Sequence, residues 1–206
     1  MSLEILDAET RALLGLAAAV GLGQEAGTEA ASRTCVGAGV PALWVEELLL
    51  QSVLMVGWPR ALMAFAAWRA VAGPAQEPGE NGAGSASIAE WQKRGEAVCR
   101  EVYGKNYSRL RENVRALHPA LEAWMVTEGY GRTLGRPGLD LARRELCTVV
   151  QVALQGAERQ LHSHLRGALN AGASPAVVAA ALEVVQPLLE TREWESVMAL
   201  WDRVRA

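Results

Sequence analysis

Isoleucine and phenylalanine are nearly missing from this sequence, with two and one, respectively, in 206 residues. That scarcity of β-branched and aromatic side chains argues against a sheet-based fold. Cysteine is equally sparse. Cys35, Cys99 and Cys147 are too few and too scattered for a disulfide scaffold or a cysteine-rich zinc site, and they suit a reducing cytoplasm. Neither sign of charge predominates, since 20 Lys+Arg against 23 Asp+Glu give a net charge of −3. Without a basic footprint, neither nucleic acid nor an anionic membrane surface is expected as a partner. Long uncharged apolar runs are missing as well. The segment from Ala12 to Gly23 falls short of the about 20 residues a membrane span requires, and it follows Glu4, Asp7 and Glu9 rather than a basic leader. These absences describe a soluble, cytoplasmic protein. What the chain has in abundance is alanine (36) and leucine (27), in a composition that is half apolar. That is ample for a core and favours helices, so the expected class is all-α.

One stretch breaks the helical pattern: residues 73–87, GPAQEPGENGAGSAS, offer nothing to pack and read as a linker between an N-terminal block (1–72) and a C-terminal block (88–206). Sliding the chain along itself brings out an ungapped offset of 133. Residues 6–71 match 139–204 at 14 of 66 positions, among them Asp7/Asp140, Arg11/Arg144, Gly23/Gly156, Gly39/Gly172 and Trp68/Trp201. Composition alone would give roughly six. The chain reads as a tandem duplication of a helical-hairpin repeat, the alternative being coincidence in an alanine-rich sequence. In the second copy, Asp140 caps a helix over 141–155 that stops at Gly156, and a second helix covers 158–170. Ser174-Pro175 then opens a helix over 176–185, Pro187 ends or kinks it, and a last helix covers about 192–205. Ahead of this copy the pattern predicts helices over 88–102, 107–117 and 119–127, then a glycine-rich loop over 129–139, GYGRTLGRPGL.

Drawn at 100° per residue, the helix over 141–155 shows a broad apolar arc and a narrow polar side made by Arg144, Thr148, Gln151 and Gln155. Glu145 falls inside the apolar arc. A carboxylate there needs a partner: either it is half of a structural ion pair with an arginine of a neighbouring helix, or it is an acid/base or ligand-binding group. In the next helix Leu161, Leu165, Ala168 and Leu169 form the core stripe, with His162 and His164 on opposite shoulders. An exposed pair with Glu158 explains His162. His164 is flanked by Ala157, Gly167 and Ala168, small side chains that leave room for a pocket, although a satisfied core histidine would look the same. At the offset of 133, Glu145 corresponds to Ala12 and His164 to Ala31. Both polar groups are absent together from the first copy, so they read as one unit whose architecture alone that copy keeps. Cys147 lies about 200° round the helix from Glu145 and reads as a buried, inert thiol.

The stretch RPGLDLARRELCTVVQVALQGAERQLHSHLRGALNAGASPAVV (136–178) resembles the core of the carboxymuconolactone decarboxylase family, within the alkylhydroperoxidase D-like superfamily of all-helical oligomers. The likeness extends to GEAVCREVYG (95–104) and EGYGRTLGRPGL (128–139), with a degenerate copy over 6–71. Its most specific part is the Arg-Glu-Leu opening of one helix followed by His-Leu-Arg-Gly-Ala-Leu-Asn-Ala-Gly in the next. The resemblance implies the alkylhydroperoxidase D-like fold in two tandem copies, with the family's acidic position on Glu145 and its histidine on His164. The Cys-x-x-Cys pair of the peroxidase branch would fall on Ala157 and Gln160, so the residues for that chemistry are lacking.

The implied function is decarboxylation, or a related proton transfer, on a small acidic lactone by a Glu145/His164 pair, with no cofactor and no metal. Substrate carboxylates would need a cation, for which Arg132, Arg136 and Arg144 are candidates, although each taken singly reads as a solvated arginine. Tyr130, Cys147 and His162 complete the set of candidate substrate contacts. Two other readings stand beside this one: a thiol-dependent peroxidase using Cys147 or Cys99, and a binding or assembly module without chemistry. Family members form rings, so the expected partners are an acidic small molecule and two further copies of the chain in a homotrimer with pseudo-sixfold symmetry.

Overall fold

The computed structural model describes residues 5–75 and 87–206, and among them there is no strand. Most of the expected linker, 76–86, lies outside the described residues. Among the described residues ten α-helices follow in chain order: α1 (Ala8–Leu22), α2 (Glu25–Gly37), α3 (Ala42–Ala72), α4 (Ile88–Tyr103), α5 (Tyr107–Leu117), α6 (Pro119–Trp124), α7 (Leu141–Leu154), α8 (Glu158–Asn170), α9 (Pro175–Glu183) and α10 (Thr191–Arg205). They make two compact units. Residues up to Ala75 combine with Gly138–Ala206 in one, and the chain between them, as far as Pro137, makes the other. The compact units thus cut across the sequence blocks drawn at 72 and 88, because the two repeat copies share one core.

Within the first unit the offset of 133 carries over to the elements. Shifted by that number, the bounds of α2 become those of α8, while the two ends of α3 become the start of α9 and the end of α10. The interruption matches as well. Gly57 leaves the helical backbone of α3 at φ 74°, ψ 168°, and its equivalent is Glu190, the N-cap of α10. Asp7 and Asp140 cap α1 and α7 by accepting from the amides of Thr10 and Arg143. Arg11 donates to the Leu6 carbonyl at 3.1 Å, and Arg144 to the Leu139 carbonyl at 3.0 Å. Arg143 and Thr10 are equivalent residues, and they meet at 2.8 Å. Equivalent positions of the two copies thus meet directly at the seam between α1 and α7. Arg143 also bridges the caps of both copies, at 3.0 Å from Asp7 and 2.7 Å from Asp140. A single apolar cluster runs through both copies, including Leu13, Leu16, Leu49, Val149, Val178 and Leu182.

Two expectations change here. Arg144, Thr148 and Gln151, the polar side of α7, are fully buried and do not face solvent. They meet polar side chains of α3. Arg144 pairs with Glu47 at 2.8 Å and Gln51 at 3.2 Å, the Gln51 amide returns a bond to the Arg144 carbonyl at 3.0 Å, and Gln151 donates to Ser52 at 2.8 Å. In addition, α3 is long and apolar enough by length and composition to cross a membrane. The criterion of uncharged residues passed over it because Glu46, Glu47 and Arg60 interrupt the run. Its Val45, Leu48 and Leu49 are buried in the shared core.

In the second unit residues 129–134 of the expected loop belong instead to a π-helical segment, Met125–Leu134, that continues α6 and packs on α4, while 135–139 remain irregular as expected. Gly95 and Gly131 are there for close approach, whereas Gly138, at φ 99°, turns the chain. A Cβ on Gly95 would overlap the Val126 carbonyl oxygen, and one on Gly131 the Trp91 carbonyl oxygen. Arg94 ties the pair together by donating to the Gly131 carbonyl at 2.6 Å.

Candidate functional site

The site is built on the hairpin of α7 and α8. Asp140 fixes where α7 starts, and Gly156 at φ 64° reverses the chain two residues before α8 begins. This antiparallel pairing brings Glu145, in the second turn of α7, opposite His164, near the middle of α8. His164 Nδ1 lies 2.8 Å from Glu145 Oε2. The Glu145 side chain is fully buried and that of His164 is 10% exposed, so one edge of the imidazole reaches the surface while the carboxylate does not. With Nδ1 donating to the carboxylate, Nε2 is the ring atom left to exchange a proton outside the pair. Glu145 Oε1 is buried without a hydrogen-bond partner among the described residues. A carboxylate oxygen in that state is an open acceptor, since desolvating it without a bond is costly.

The equivalent place in the first copy makes a control within the same molecule. There Ala12 and Ala31 line a hollow of about 270 Å³, walled also by Ala8, Arg11, Gly15 and Thr34. The backbone that presents the pair is retained, and the pair is replaced by methyl groups.

The remaining candidates are distributed as follows. Arg144 is committed to the α3 seam by its bonds to Glu47, Gln51 and Leu139, which answers the sequence reading of a solvated or substrate-facing arginine. Cys147 is fully buried, and burial pushes its thiol well above the ordinary range; the same cause lifts Cys35 to about 12. Cys99 is buried too. His162 does not pair with Glu158, whose carboxylate takes the Ser196 hydroxyl at 2.7 Å; it lies instead 3.4 Å from Arg166. Burial first, and then the charges of Arg166 and Arg203, hold the His162 imidazole below its usual value. Tyr130, Arg132 and Arg136 belong to the other unit. Within it Tyr130 is buried with its hydroxyl 3.0 Å from that of Tyr103, Arg132 is exposed, pairs with Glu128 at 3.0 Å and covers the Trp91 ring, and Arg136 is half-buried near its end. Among the described residues no three His, Cys, Asp or Glu side chains converge as a metal site would need.

Periodicity missed Arg143, which falls in the apolar arc of α7 and bridges the caps of the two copies. The signal that would have found it is the equivalent Thr10 together with the two acidic caps.

No curated protein matches the chain. The profile described as "Carboxymuconolactone decarboxylase family" matches it in two regions, residues 3–70 and 119–205, the first holding the alanine-substituted copy and the second the Glu145–His164 hairpin. With most of its length matched in this duplicated manner, the chain belongs to the carboxymuconolactone decarboxylase family, of the alkylhydroperoxidase D-like superfamily.

Proposed function

We propose that the chain is a carboxy-lyase that releases CO2 from a small, acidic, unsaturated lactone, with His164 as the proton-transfer group and Glu145 as its orienting partner. The observation that carries this reading is the buried 2.8 Å contact between His164 Nδ1 and Glu145 Oε2. In the reaction the bond from carbon to the leaving carboxylate breaks, and its electron pair enters the conjugated carbonyl as an enolate. A proton from His164 Nε2 then quenches the carbon. Glu145 holds the ring by Nδ1 throughout and stabilises the imidazolium before it gives up that proton, as a carboxylate beside an imidazole does. A carbonyl conjugated with the breaking bond supplies the electron sink, so the residues need only deliver a proton and hold the ring.

Thiol chemistry is disfavoured by burial. A thiolate is the reactive form, and the Cys35 and Cys147 thiols are held far from it. The reading extends to a homotrimer in which two copies of the repeat per chain mimic a sixfold ring. The exposed apolar side chains of α3, Leu43, Leu50, Leu54, Trp58 and Leu62, suit a buried position in such an assembly. Light scattering would give three times the 22.0 kDa chain mass, and a monomer would overturn this part.

For the chemistry, 4-carboxymuconolactone is the probe. One CO2 released per lactone consumed, faster than in buffer, is the expected result; lactone loss at the buffer rate overturns the assignment.

A further inference from the structure

A second internal comparison concerns the turns after α1 and α7. Gly23 and Gly156 are equivalent, and both have positive φ. Above Gly23 lies the guanidinium of Arg60: a Cβ there would come within 2.8 Å of Nε, and NH1 donates to the Gly21 carbonyl at 3.1 Å. The cradle at the end of α1 is thus filled by a cation that meets a helix C-terminal carbonyl, where cations are favoured. The residue equivalent to Arg60 is Glu193, whose carboxylate turns back to cap its own helix at the Glu190 amide, 3.0 Å away. Nothing lies within 4 Å of a Cβ on Gly156. In place of a guanidinium the second copy has a hollow of about 240 Å³ at that glycine, lined by the apolar Leu161 and Val197, by Glu158 and Glu193, and by Arg192.

A second hollow, of about 330 Å³, shares Glu158 and Leu200 with the first and is lined by Arg159, His162 and Arg203. Its charge is opposite. Arg159 and Arg203 make no ion pair with a described carboxylate, and Arg203 lines this hollow together with His162. The two hollows follow α8 on the shoulder that carries His162, about 200° round the helix from His164.

We propose that this groove is a binding site for a guanidino acid, a molecule with a guanidinium at one end and a carboxylate at the other, as free arginine has. The guanidinium lies over Gly156 as that of Arg60 lies over Gly23, between Glu158 and Glu193; the carboxylate meets Arg159 and Arg203. The site is separate from the Glu145–His164 pair and does not depend on what that pair does.

The test is a titration of the full chain with L-arginine, L-citrulline and agmatine, followed by the amide NMR signals of Gly156, Glu158 and Ser196. Arginine shifts these signals saturably. Citrulline, with the same shape and no charge on its head, binds at least about tenfold more weakly, and so does agmatine, which lacks the carboxylate. Glu193→Arg places in the second copy the side chain that fills the first, and it abolishes binding while the circular dichroism spectrum is unchanged. Arg203→Ala, on the exposed face of α10, weakens arginine to the level of agmatine without affecting agmatine. No saturable shift with arginine, equal affinity for arginine and citrulline, or undiminished binding by Glu193→Arg would each overturn the proposal.

Discussion

Arg144 and Glu145 are neighbours in sequence with opposite fates, and the reason lies in which helix covers each. Arg144 faces α3, where Glu47 and Gln51, one turn apart, meet it, whereas Glu145 faces α8 and meets His164. The anomaly of Glu145 was legible because a carboxylate within an apolar arc requires a partner, and the paired alanines of the first copy showed which one. The seam was not, since periodicity cannot tell a polar face covered by another polar face from one covered by water. The sign available in the sequence was Glu47 and Gln51 at i, i+4 inside a long apolar helix. Arg144→Met strips the almost fully buried Glu47 of this ion pair and is expected to cost about 3 kcal/mol of stability. Urea unfolding measures this, and a loss below about 0.5 kcal/mol would mean that the seam is not coupled as its geometry indicates.

At the scale of elements, the helices of the second copy were readable nearly to the residue, because capping residues and positive-φ glycines mark their ends. The π-helical segment was not. Gly129, Gly131 and Gly135 have the composition of a loop, and only the backbone of α4 explains the middle one. Gly131→Ala therefore has to push α4 away from that segment. We expect a loss of roughly 1–3 kcal/mol, the usual range for overpacking, while alanine at Gly129, which meets only the Trp124 carbonyl at 4.0 Å, is tolerated. Thermal melts of the two variants give the comparison, and equal melting temperatures would contradict close approach as the reason for the glycine. Asp140→Ala removes both the cap of α7 and one arm of the Arg143 bridge, and it is expected to cost at least the about 1 kcal/mol of an ordinary cap.

For the molecule as a whole, the duplication puts titrating groups at the seam where the copies meet. Burial alone would raise the Asp7 and Asp140 carboxyls, but the capped amides and the Arg143 guanidinium outweigh it and hold both below the usual aspartate value. A folded-state value below the unfolded one stabilises the fold above the unfolded aspartate pKa of about 3.9, and that contribution is lost as pH falls through the depressed values. The melting temperature should drop on acidification below about pH 4, and Asp7→Asn with Asp140→Asn should flatten that drop. An unchanged acid profile would show that the bridge does not couple the copies.

The duplication also supplies the logic of the function: two copies of one backbone, with the Glu–His pair in only one of them. The most direct test of that account is the rate of CO2 release from 4-carboxymuconolactone by the native chain and by His164→Ala. Loss of the proton-transfer group predicts a fall of about 10²–10⁴-fold with the fold intact, and equal rates for the two proteins would contradict the assignment of the reaction to this pair.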